Sequence, residues 1–149
     1  MIRPAAETEA SVLTKVALDA KRYWGYPEHW IKHWESDLTI SSDFILDNHV
    51  YVAEEDGQIQ GFYALIVSGD RAELDHMWVA PACIGTGVGK ALFLDAMERA
   101  AALKVLAVEI SADPNAAGFY RRMGATDVGE TDASFDGVTR KLPRLKIET

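Results

Sequence analysis

Gly85, Gly87 and Gly89 alternate through the segment Ile84-Gly85-Thr86-Gly87-Val88-Gly89-Lys90. An apolar run closing on Val79-Ala80-Pro81 precedes this segment, and a stretch of helical periodicity follows it. Glycines at such a junction let the backbone turn tightly and approach a ligand without Cβ atoms in the way. The amides of the loop and of the first helical turn then converge on one point, with the positive end of the helix dipole behind them. That is chemistry for a phosphate or pyrophosphate. A Walker A loop is excluded, because Gly89-Lys90 is followed by Ala91, which has no hydroxyl for magnesium, and Ile84 stands where its first glycine is required. A dinucleotide fingerprint is excluded by the spacing of the glycines.

Just upstream, Glu73, Asp75 and His76 bring proton-transfer groups onto one extended segment. Strand alternation places Glu73 and Asp75 on one face and His76 on the other, with Leu74 and Trp78. A histidine near its natural pKa can relay a proton at neutral pH, and a carboxylate can serve as a base. His29, His33 and His49 show no ligand spacing with Cys83 or with a carboxylate cluster, so no metal site is expected.

The elements that must position these groups follow from periodicity. Residues 7–23 carry Val12, Leu13, Val16, Ala17 and Ala20 at helical spacing and close on Gly25 and Pro27. Residues 27–37 form a second helix with Trp30, Ile31 and Trp34 on one side, and Ser42 or Asp43 begins a brief helical turn. The period then becomes that of strands. Residues 50–54 and 60–68 make a hairpin through Asp56-Gly57, and residues 72–80 form a third strand that Pro81 ends. A helix from the glycine loop to about Leu103, a strand over 105–111, a short helix over 115–123 and a strand from Thr126 complete the order. Residues 139–147 contain Pro143 and are read as an edge or bulged strand, which offers an exposed surface for a homodimer. The fold class is α/β (mixed α+β), with one sheet flanked by helices.

At 149 residues the chain fits one domain, 1–149, able to bury a core without disulfides, and the single cysteine permits no intramolecular one. The absence of an apolar leader or of any run near the ~20 residues that cross a bilayer leads us to expect a soluble cytoplasmic protein with no membrane partner. The net charge of −8 repels a phosphate backbone, so no nucleic-acid partner is expected; it favours a cationic one.

Across residues 50–129 the chain resembles the GNAT superfamily of N-acetyltransferases. That family shows a strand ending in Val-x-Pro, then Arg/Gln-x-x-Gly-x-Gly/Ala opening a long helix. Here Val79-x-Pro81 and Gly87-x-Gly89 are in register, with Ile84 at the Arg/Gln position. Further on the family has Asn-x-x-Ala-x-x-x-Tyr followed by glycine, and this chain has Asp113-x-x-Ala116-x-x-x-Tyr120, then Gly124. The resemblance implies a central mixed, mostly antiparallel sheet, with acetyl-CoA as co-substrate in a cleft opened by splayed strands. It implies that Ile84, Gly85, Thr86, Gly87, Val88, Gly89 and Lys90 cradle the pyrophosphate. Met77, Trp78 and Val79 would pair with the pantetheine amides, and Asp113 or Asn115, with Phe119, would meet the pantetheine arm. It implies direct acetyl transfer to a primary amine of a small molecule in a ternary complex, with Tyr120 protonating the departing sulfur. Glu73 or His76 is the expected base, with Asp75 third. The family places the acceptor against the first two helices, where Trp24, Tyr26 and Trp30 are the expected substrate contacts and Trp34 faces inward with Trp30. A protein lysine or N-terminal acetyltransferase, and a non-catalytic acyl-CoA-binding module, remain the alternatives.

Overall fold

The computed structural model describes residues 1–149. In chain order, β1 (Ile2–Pro4) leads through a single 3-10 turn into α1 (Ala10–Tyr23), α2 (Glu28–Leu38) and α3 (Ser42–Asp47). Three strands follow: β2 (His49–Glu55), β3 (Gln58–Ser68) and β4 (Arg71–Val79). Then come α4 (Val88–Ala102), β5 (Ala107–Ser111), α5 (Ala117–Arg122), β6 (Thr126–Asp132) and β7 (Lys141–Glu148). The seven strands lie in one sheet in the order β1-β2-β3-β4-β5-β7-β6. Of the strand pairs in register, β4 with β5 is parallel, while β1–β2, β2–β3, β5–β7 and β6–β7 are antiparallel.

The chain divides into two compact units. The first, Met1–Ile66 with His76–Ala96, is centred on Leu13, Ile31, Val52, Phe62, Tyr63, Leu65, Leu92 and Phe93, all essentially inaccessible. Its hairpin turns on Asp56 and Gly57, both left-handed (φ 50° and 77°), as a two-residue connection between twisted strands requires. Within this unit Tyr63 donates its hydroxyl to Asp95 at 2.6 Å, tying β3 to α4. The second unit, Val67–Asp75 with Met97–Thr149, buries Val105, Val108 and Leu145.

Two expectations are corrected. The strand β1 was not anticipated: three residues carry no periodicity, and it exists because it adds to β2, with Ile2 opposite Ala53 and Pro4 opposite Tyr51. Residues 139–147 do not form an edge. β7 lies between β5 and β6, the sheet edges are β1 and β6, and the homodimer surface read from Pro143 loses its basis. Pro143 is tolerated inside the sheet because its C=O side faces β5 just past that strand's last residue. It accepts from Ala112 N–H at 2.9 Å there, while the last register pair is Ser111 with Arg144, so no rung needs the missing N–H.

Candidate active site

In the first unit, β4 runs into a 3-10 turn (Pro81–Cys83), and the chain then reaches α4 through the glycines. Gly85 and Gly87 are left-handed, at φ +80° and +90°, with open space where a Cβ would stand. The first intrahelical bond at this end runs from Ala91 N–H to the Gly87 carbonyl at 3.0 Å. Helix geometry leaves the amides of Val88, Gly89 and Lys90 before it without an intrahelical acceptor. Thr86 folds back instead, its hydroxyl donating to the Cys83 carbonyl. Ile84 is exposed. The first turn of α4 thus has amides free of intrahelical acceptors, the kind of helix end at which anions bind, without a side-chain cation at the loop's Arg/Gln position.

The strand feeding this loop is held closely on one side. A Cβ at Gly61 would come within 2.6 Å of the Trp78 carbonyl and 3.0 Å of Leu92 Cδ1, so only glycine lets β3 approach there. On its other side β4 pairs with β5 from Arg71–Ala107 to Glu73–Glu109, and the register stops, although β5 continues to Ser111 and β4 continues past Leu74. Beyond Glu73 the backbone of β4 has left the ladder on its β5 side.

His76 and Trp78 point to the same face of β4. His76 is 8% exposed and lies between Phe62, stacked at 6.1 Å, and Phe44, edge-on at 5.7 Å. Its Nδ1 accepts from Trp78 Nε1–H at 3.0 Å, so the imidazole carries its proton on Nε2 and is neutral. Nearby, Tyr26 stacks on Trp30 at 6.0 Å and meets Trp34 edge-on at 5.0 Å, with Trp30 and Trp34 5.9 Å apart. Trp34 is buried and Trp30 half-buried. Trp24 stands apart, exposed, with Tyr23 against its edge at 5.3 Å. Sequence reasoning missed Lys21, which is 9% exposed and puts its ammonium 4.4 Å from the Trp34 ring centroid, 5.1 Å from Tyr26 and 5.8 Å from Trp78. The signal was present: Lys21 lies on the buried stripe of Leu13, Ala17 and Ala20, a lysine at a core position.

In the second unit, Tyr120 sits on α5, 6% exposed, with Phe119 edge-on at 5.3 Å. Burial first, and the Asp113 charge second, raise its phenol above the ordinary tyrosine value. Asp113 accepts from the Asn115 backbone N–H at 2.8 Å and from its side-chain amide at 3.0 Å, and it lies 3.9 Å from Arg140. Asp113 and Asn115 therefore face each other across a local turn that starts α5. Glu73 accepts both terminal nitrogens of Arg144, at 2.6 and 2.7 Å, and that guanidinium also donates to Ser111 at 2.9 Å. The Arg144 pKa is raised, chiefly by the hydrogen bond to Glu73. Asp75 is exposed.

Residues 46–124 match the acetyltransferase (GNAT) domain, more than half of the chain. The chain belongs to the GNAT acetyltransferase family. Within this acetyl-CoA-dependent family it is similar to the peptidyl-lysine N-acetyltransferase YiaC of Escherichia coli, at 31% identity over 100 residues, 66% of either chain's length. Its fold is that of the PaiA N-acetyltransferase of Thermoplasma acidophilum, solved with coenzyme A (TM-score 0.79, 20% identity, 100% of this chain and 98% of that one). It is also that of YncA from Salmonella typhimurium, solved with its cofactor acetyl-CoA (TM-score 0.71, 17% identity, 99% and 92%). The GNAT match covers the glycine loop, the whole of β4 and the Tyr120 helix, the segments on which the sequence reading rests.

Proposed function

We propose that the chain, as a single acetyltransferase domain, moves the acetyl group of acetyl-CoA directly to the primary amine of a small molecule in the cytoplasm. The observation that carries this is the release of β4 from β5 after Glu73, in a strand that runs straight on to the glycine loop. Residues 77–79 then have backbone groups for the pantetheine amides, and residues 85–90 have amides for the pyrophosphate. On the arm itself we favour Asn115 and Phe119, since the Asp113 carboxylate caps its own turn and faces Arg140.

In the transfer, the amine nitrogen attacks the thioester carbonyl, the C–S bond breaks, and the proton lost by nitrogen ends on sulfur. Tyr120, whose raised pKa keeps it protonated, serves this step by donating its O–H to the developing thiolate. Neither expected base is offered as one. Both carboxylate oxygens of Glu73 hold Arg144, and the acceptor nitrogen of His76 is taken by Trp78. The amine therefore enters as its neutral fraction, and positioning against the thioester supplies most of the rate. A second reading, transfer to a peptidyl lysine, is favoured by the 31% identity to YiaC.

Calorimetric titration with acetyl-CoA tests the cofactor reading, followed by a screen of amines and lysine peptides that detects free thiol. Acetyl-CoA binding that disappears in Gly87→Val with Gly89→Val supports it. An unchanged affinity in that variant means the loop is not the phosphate cradle.

A further inference from the structure

Within the first unit, α4 buries Leu92, Phe93 and Ala96, each at most 1% exposed. Apolar burial is non-directional, so it holds a helix down without fixing its place along its own axis. Two contacts with β3 do fix it. Leu92 Cδ1 stands 3.0 Å from where a Cβ on Gly61 would lie, and one turn further along α4 the Asp95 carboxylate accepts the Tyr63 hydroxyl at 2.6 Å. That length is in the range of charge-assisted O–H···O⁻ bonds. Gly61 and Tyr63 lie two apart and share a face of the strand, while Leu92 and Asp95 lie three apart and share a face of the helix. One contact leaves a helix free to pivot; two set both its place and its direction. The Tyr63 end is the anchor. Its ring is inaccessible and stacks at 5.5 Å on Tyr51, its partner across the β2–β3 ladder, whereas Asp95 is half-buried on the helix.

We infer that Tyr63 and Asp95 are positioning residues for acetyl-CoA. Their hydrogen bond sets the axial place of α4, and with it the place of the Val88, Gly89 and Lys90 amides about two turns earlier on the same helix. Amide hydrogen bonds to an anion hold only within about 2.7–3.2 Å, so a helix displaced by about 1 Å loses them. Neither residue is offered as a contact of the cofactor; both act through the helix. This rests on the reading of those amides as the pyrophosphate site.

Tyr63→Phe keeps the ring and its stack but removes the donor, and Asp95→Ala removes the acceptor while leaving a strong helix former. Each is expected to weaken acetyl-CoA binding about tenfold in calorimetry, at a temperature where circular dichroism finds the variant fully folded. S-acetylpantetheine has the thioester arm without the pyrophosphate, and its affinity, titrated by NMR, is expected to stay within about twofold of that of the unmodified chain. Asp95→Asn still offers an oxygen to the Tyr63 hydroxyl and should keep acetyl-CoA affinity within about threefold. Unchanged acetyl-CoA affinity in a folded Tyr63→Phe or Asp95→Ala overturns the proposal. So does an equal loss for both ligands, the result of a general loosening, or a loss in Asp95→Asn as large as in Asp95→Ala. If one of the two main variants does not fold, the other decides. An unmodified chain that does not bind acetyl-CoA brings down the cofactor reading itself, whereas binding that is equal in the unmodified chain and the variants removes only the role of the pair.

Discussion

In the proposed reaction Tyr120 serves the departing sulfur, whereas Glu73 is held in a bidentate pair by Arg144. Tyr120→Phe removes one hydroxyl from a buried position and is expected to lower kcat by about 100-fold, with the KM for acetyl-CoA little changed. The same phenol gives a stability signature. The folded chain holds the proton more tightly than the unfolded chain, so this contribution is fully present below the ordinary tyrosine pKa of about 10 and falls as pH rises above it. Alkaline unfolding followed by circular dichroism should be steeper in the unmodified chain than in Tyr120→Phe. Glu73→Gln is expected to behave as a structural change: a loss of about 1–2 kcal/mol in urea unfolding through the weakened bidentate pair with Arg144, and kcat within about threefold. A kcat loss of two decades with stability intact would instead make Glu73 the base. The position of Tyr120 was legible because its motif fixes it. The engagement of Glu73 was not, since Arg144 lies far along the chain and only strand pairing brings it near.

At the level of elements, glycine does two separable jobs. Gly61→Ala places a methyl against the Trp78 carbonyl and should cost about 1–3 kcal/mol, measured as a shift in urea midpoint. Gly87→Ala meets no neighbour, so its cost is backbone strain of about 1 kcal/mol, and its larger expected effect is weaker acetyl-CoA binding by calorimetry. The helices and strands from α1 to β5 were readable from periodicity, and the turn at Asp56-Gly57 from its dipeptide. Ranges shifted by a few residues at their ends, where capping and pairing decide. The place of β7 was not readable, because the rule against proline in a central strand concerns the missing N–H. Whether that N–H has a partner depends on where β5 ends, which no local pattern of β7 contains. Lys21 was obscured for a related reason: periodicity marked its stripe as core, and the aromatic rings that meet its ammonium, those of Tyr26, Trp34 and Trp78, lie on other segments of the chain.

The whole molecule carries a net charge of −8, and acetyl-CoA is itself a polyanion. Long-range repulsion should slow their encounter at low ionic strength, so the association rate measured by stopped flow is expected to rise with added salt until the field is screened. A fall with salt would point to steering by the loop's own positive potential. Finally, all four tryptophans, Trp24, Trp30, Trp34 and Trp78, belong to the Met1–Ile66 and His76–Ala96 unit, and the Val67–Asp75 and Met97–Thr149 unit has none. Intrinsic emission is therefore a one-sided witness to denaturation. It sees the unit with the glycine loop come apart and is blind to the unit that carries Tyr120. Superposable emission and far-ultraviolet melting curves would mean that the chain unfolds as one cooperative body; curves that part would resolve two steps and assign each to its half of the sequence.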